Sequence, residues 1–199
     1  SRTAESRPGA LKNQRRVLIV TAASRPISVT FANLGIPLLL ILLAFIPMIA
    51  GMFRLSTLAA GVEVTAQNVR FFQSPAPVVV HVISAIFYTL IGAFQFSVPL
   101  RRRVPIWHTL AGRSLVGAGL AVGVSGIWMA LTYEIVPADT ALLSFFRVSF
   151  GVAMIVSVAL GFTYARRRMY LQHQAWMRRA FAIALGAGTQ ALIQIPAEL

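Results

Sequence analysis

The amino-acid sequence predicts an all-α integral membrane protein of five transmembrane helices. The second to fifth form a four-helix bundle, the N-terminus is cytoplasmic and the C-terminus lies outside. Three observations lead there. The 199 residues are 57% hydrophobic and only 12% charged, with a mean hydropathy of +0.75, a composition unlike that of a soluble domain. Cutting the chain at its charged residues leaves uncharged runs at 26–53, 71–100, 114–133, 148–165 and 180–197, each long enough to span a bilayer at roughly 1.5 Å rise per residue. The basic residues then alternate: fifteen of the eighteen fall before the first run, between the second and third, or between the fourth and fifth. By the positive-inside rule those three segments are cytoplasmic.

Each element follows in order. Residues 1–25 are a basic cytoplasmic arm, and residues 26–199 form a single transmembrane domain. The first helix covers about 31–53 and contains Pro37 and Pro47, which a membrane helix tolerates as kinks. Its apolar run is too long and starts too late for a cleaved signal peptide, and reads as a retained anchor. The outer segment 54–76 is long enough for a short interfacial helix. The second helix covers about 77–100 and stops at "PLRRRVP". The third covers about 107–132, and its "GAGLAVGVSG" centre sets Gly119 and Gly123 four apart, beside Gly117, Ala121 and Ser125, so that another backbone can approach. The fourth covers about 141–165 and the fifth about 175–196.

The net charge of +13 needs no nucleic acid, because topology accounts for the arginines and anionic lipids are their natural counter-charge. The absence of cysteine excludes disulfides, thiolate metal sites, iron–sulfur clusters and covalently attached haem. The five acidic residues, Glu5, Glu63, Glu134, Asp139 and Glu198, lie outside the spans, so neither a carboxylate pair nor a metal centre is expected. No hydrolytic or transferase motif is present. If the chain is an enzyme, it is a membrane oxidoreductase.

Polar residues inside the spans carry the functional signal. His81, Ser84, Tyr88 and Gln95 share one helical face, which must turn to the bundle; ordinary interhelical hydrogen bonding is the plain account of Ser84 and Gln95. Arg147 lies six residues past the start of the fourth helix, roughly 9 Å from its end. Either it snorkels to the headgroups or it faces the bundle. In the second case His81, Arg147 and Gln190, at similar depth, line one outer pocket with Tyr88 below, and Glu134 or Asp139 supply counter-charge. On the cytoplasmic side His108 and His173 each stand beside a tryptophan, Trp107 and Trp176, and precede Arg113, Arg178 and Arg179. An aromatic belt and charge sorting explain the tryptophans and arginines, but not the imidazoles.

At these residues the chain resembles an uncharacterised bacterial family of multi-helix membrane proteins, a domain of unknown function. The resemblance covers about residues 75–195 and rests on "HVISAIFYTLIGAFQF", "WHTLAGR" and "HQAWMRR", in that order on successive helices. It implies the helical architecture and a bacterial cytoplasmic (inner) membrane, and carries no reaction with it.

Three functions are therefore weighed. The first is an accessory, assembly or ligand-binding subunit of a larger membrane complex, packing through Gly- and Ala-rich faces. The second is b-type haem binding for electron transfer, with His108 and His173 as axial ligands and Arg113 and Arg179 as partners of the propionates. The third is binding or transport of a small anionic or quinone-like molecule in the pocket of His81, Tyr88, Arg147 and Gln190.

Overall fold

Proline and small polar residues set the helix boundaries. The structure, a computed structural model, describes residues 31–66, 68–134 and 141–194, and side-chain surroundings between residues 34 and 188. The basic arm and Asp139 lie outside the described residues, as does the side chain of Gln190. Seven helices are described: α1 (Phe31–Ala60), α2 (Val69–Gln73), α3 (Pro75–Gln95), α4 (Val98–Arg103), α5 (Pro105–Thr132), α6 (Ala141–Arg166) and α7 (Tyr170–Gln194). Pro75 and Pro105 open α3 and α5 at the first helical position, where a missing N–H costs nothing.

The second expected helix, about 77–100, ends earlier than its apolar run suggests. Pro99 would clash with the carbonyl of Gln95 in a continuous helix. The chain breaks at Phe96 and Ser97, and Ser97 Oγ accepts from the Leu100 N–H at 3.4 Å to start α4. The three arginines 101–103 thus sit on a separate short helix. The segment 54–76 does hold a helix, α2, though of only five residues.

The turn from α6 to α7 closes with a Schellman motif: Met169 N–H bonds to Tyr164 O and Arg168 N–H to Ala165 O. Arg168 takes the left-handed position at φ 59° that glycine ordinarily fills. Gly61 (φ 60°) does the same after α1, with Val62 N–H reaching Thr57 O.

The four helices α3, α5, α6 and α7 form a ring in which each packs against the next and α7 returns to α3. Small residues let α5 and α6 approach closely. A Cβ on Gly123 would lie 2.6 Å from Ile155 and 3.0 Å from the carbonyl of Gly151, and one on Gly151 would lie 2.6 Å from Ile127. Gly119 is filled from both sides by Tyr88 and Val158, whereas Gly117 faces open space. Tyr88, Ala93, Leu115, Met154, Val158, Ala180 and Phe181 make the core.

Where α3 meets α7, the contact centres on Phe181, which reaches Tyr88, Gly92 and Phe96. Nearer the start of α3, α1 lies against both helices: Gly51 against Val82, and Pro47 against Gly188. α1 is therefore a wedge on the α3–α7 seam. Its outward residues, among them Leu39, Leu42 and Phe53, are exposed as a lipid-facing helix requires.

Among the described residues, four helices are long and apolar enough to cross a membrane: Leu34–Ala60, Pro75–Gln95, Pro105–Thr132 and Ala141–Arg166. α7 differs because its first ten residues, "YLQHQAWMRR", are polar and basic, and its uncharged part begins only at Ala180. The alternating directions of the helices gather the starts of α5 and α7 and the ends of α3 and α6 at one end, which carries the arginine clusters. The opposite end holds the starts of α3 and α6.

Candidate functional site

At that opposite end, a cavity of about 800 Å³ opens among α1, α3, α5, α6 and α7. His81 forms one wall. It stands six residues after Pro75, roughly 9 Å along the helix, and its Nδ1 lies 3.2 Å from Val122 O and 3.1 Å from Ser125 Oγ on α5. A carbonyl only accepts, so Nδ1 carries the proton. The Ser125 hydroxyl sends its own hydrogen to Ala121 O, so it too accepts from the imidazole. The ring is fixed in one tautomer, and Nε2 keeps a lone pair with no hydrogen-bond partner among the described residues. The ring lies against Gly126, where a Cβ would stand in ordinary contact at 3.5 Å from His81 Cε1.

Arg147 enters from α6 at matching depth, half-buried and on the cavity wall. Tyr88 forms part of the floor, 4% exposed and packed on Phe181. Gly123, Phe150, Met154 and Ile183 complete the apolar lower wall.

The mouth brings Glu134 together with residues that sequence reasoning did not select. Arg54 from α1 and Arg70 from α2 both place their guanidinium groups against the Phe71 ring, at 4.3 and 4.9 Å from its centroid. Arg70 Nη1 also donates to Glu134 O at 3.3 Å. Phe71 meets Tyr133 edge-on at 5.4 Å, and the Tyr133 hydroxyl donates to Ser74 O at 2.7 Å. Burial raises the Tyr133 hydroxyl above its ordinary value, opposed by a Val78 backbone hydrogen bond and the Arg70 charge, so the donor stays protonated. Arg54, Arg70, Tyr133 and Glu134 all border the cavity. Glu134 was expected there as a counter-charge, whereas the sequence signal for Arg54 and Arg70 was no more than a pair of arginines on the poorly charged side.

The other histidines lie at the opposite, arginine-rich end. His173 Nδ1 stands 2.8 Å from Gly161 O, so this nitrogen also carries the proton and Nε2 carries the lone pair. His108 lies close enough to His173 and Arg101 for their charges to interact, and its Nδ1 is buried without a hydrogen-bond partner. Gln95, at the end of α3, has both amide atoms buried and unpartnered, so interhelical bonding does not account for it. Gly112 follows His108 by one turn on the face of α5 that carries Leu115 and Gly119, and a Cβ there would meet nothing within 4 Å. Arg113 and Arg179 are exposed, Arg179 against the Trp176 ring at 4.5 Å. The structure thus brings His81, Tyr88 and Arg147 to one cavity and His108 near His173, while Arg113 and Arg179 stay at the surface.

All-helical packing among the described residues, with four membrane-length apolar helices and ionisable groups on a cavity between them, defines a polytopic membrane protein. The family model described as "Predicted membrane protein (DUF2306)" matches residues 78–199, and the chain belongs to this family, whose function is unknown. No curated protein matches the chain. No solved structure matches it either.

Proposed function

We propose that the chain is a membrane-embedded ligand-binding protein, a subunit or partner of a larger membrane complex, whose occupant is a small anionic or quinone-like molecule held in the α1–α3–α5–α6–α7 cavity. One observation carries the reading. Arg147 and the oriented His81 share the wall of an otherwise largely apolar cavity, and ionisable groups inside a membrane are costly enough to be kept for function. Charge sorting supports an N-terminus in the cytoplasm, α7 as a fifth span, and a cavity open to the outer face of a bacterial cytoplasmic membrane. The test is mass spectrometry of small molecules that co-purify with the protein in mild detergent. Retention of one compound by the wild type and its loss in Arg147→Gln support the reading. Equal recovery from both proteins overturns it.

A second reading concerns the other end. His173 is anchored through Nδ1, the usual support of a ligating imidazole, with His108 beside it and open space at Gly112. These residues fit a b-type haem, which would supply one-electron transfer. Protein expressed with ample haem then shows a Soret band that His108→Ala or His173→Ala removes and His81→Ala keeps. No band, or loss only in His81→Ala, ends this reading.

A further inference from the structure

Hydrogen atoms already committed elsewhere decide what the cavity wall can offer a ligand. His81 Nδ1 gives its hydrogen to Val122 O and Ser125 Oγ, so the donor side of the ring is the side turned to α5. The other ring nitrogen, Nε2, is an acceptor, and no described side chain donates to it. The neighbouring hydroxyls add no donor, because Thr89 bonds back to Ala85 O and Ser125 to Ala121 O. Beside Arg147 on α6, Phe146 and Phe150 lie on the cavity wall with their rings stacked, 6.2 Å apart and 24° from parallel. Each is about half exposed, which leaves ring surface for a ligand to cover.

Resting on the quinone-like branch of the cavity reading above, we infer that the cavity holds its occupant in the reduced, hydroquinone form. A hydroquinone carries an O–H that donates to His81 Nε2, while its ring lies against the Phe146–Phe150 stack. The oxidised quinone has the same ring but only carbonyl oxygens. Two lone pairs then face each other, and the imidazole acceptor goes without a partner, a loss that a site built around one hydrogen bond does not recover. An ionised carboxylate or phosphate meets the same obstacle at this nitrogen, since its oxygens are also acceptors. The fixed tautomer is what makes the site selective. A ring free to move its proton to Nε2 would donate to a quinone carbonyl as readily as it accepts from a hydroxyl. Val122 O, a helix carbonyl, opposes that move, because a bare Nδ1 would set two acceptors against each other.

The experiment compares binding of a decyl-hydroquinone, the matching decyl-quinone, the hydroquinone dimethyl ether and decanol to the full chain in detergent, under anaerobic conditions. The hydroquinone is expected to bind at least about tenfold more tightly than the quinone or the dimethyl ether, and more tightly than decanol, which donates without a ring. His81→Phe should erase the preference for the hydroquinone and leave quinone affinity little changed, with a melting curve to check folding. The comparison in the wild type stands without the variant. Nitrogen NMR of isotope-labelled histidine gives a second readout: His81 should show a protonated Nδ1 and a bare Nε2 whose signal moves on adding hydroquinone and not on adding quinone. Equal or tighter binding of the quinone, a preference that survives in folded His81→Phe, or a proton on Nε2 in the ligand-free protein overturns this inference and leaves the cavity reading standing. Decanol binding as tightly as the hydroquinone overturns the ring. Failure of every probe, with no co-purifying compound, removes both.

Discussion

At the scale of single residues, the structure rewards the polar side chains that lipid would reject. His81 is oriented by Val122 and Ser125, and its spacing from Tyr88 on one helical face was legible because a period of 3.6 puts residues seven apart in line. Arg147 was legible as an anomaly, a charge two turns into an apolar helix. Arg54 and Arg70 were not, because their place at the mouth depends on how the end of α1 meets Phe71 of α2, a contact with no local sequence signature. The Tyr133 tie to Ser74 was hidden for the same reason. It also has a pH sign. Burial raises this hydroxyl above its ordinary value of about 10, so folding favours the neutral form. The stabilisation is complete below pH 10 and is lost as pH rises through the higher folded value. Tyr133→Phe should therefore flatten the alkaline limb of a melting-temperature profile in detergent relative to the wild type, and an unchanged limb would show that the tie is not the titrating contact.

At the scale of elements, uncharged runs located the helices well and their ends less well. The run 71–100 reads as one span, yet Pro99 divides it into α3 and α4, because a ring clash acts four residues back where hydropathy has no voice. The glycines of α5 show the same contrast. Their spacing suggested close approach, but only the packed bundle distinguishes Gly123, set against Gly151 and Ile155, from Gly117, which meets nothing. Gly123→Ala should destabilise the protein by about 1 to 3 kcal/mol by overpacking the α5–α6 contact. Gly117→Ala should be neutral or slightly stabilising, since alanine is the better helix former. Unfolding in a graded detergent series measures both, and equal effects would mean that the crossing is not rigid.

At the scale of the molecule, the charge pattern carries more than any motif. The arginines on α4, at the α6–α7 turn and near the start of α7 all fall at one end of the ring, and this distribution makes the fifth span testable. α7 lacks the composition of the other four over its first turns, yet it completes the ring against α6 and α3. In the proposed topology the basic start of this 25-residue helix anchors in headgroups and its uncharged remainder extends towards the other face. A phosphatase fused after Leu199 should be active outside the cytoplasm, and a green fluorescent protein at the same place should stay dark. The reverse pattern would make α7 a helix that returns to the cytoplasmic face.

The wedge of α1 separates two kinds of inheritance. The family match begins at residue 78, inside α3, so it includes His81, Tyr88 and Arg147 but leaves out α1 and α2. Arg54, Arg70 and the lipid-facing wall belong to the part of the chain that family membership does not define. The ring lies in the part of the chain that the family match covers, apart from the first turn of α3, and α1 lies pressed onto its seam. On the proposed cavity reading, replacing α1 alters what the cavity admits while leaving the ring of α3, α5, α6 and α7 unchanged.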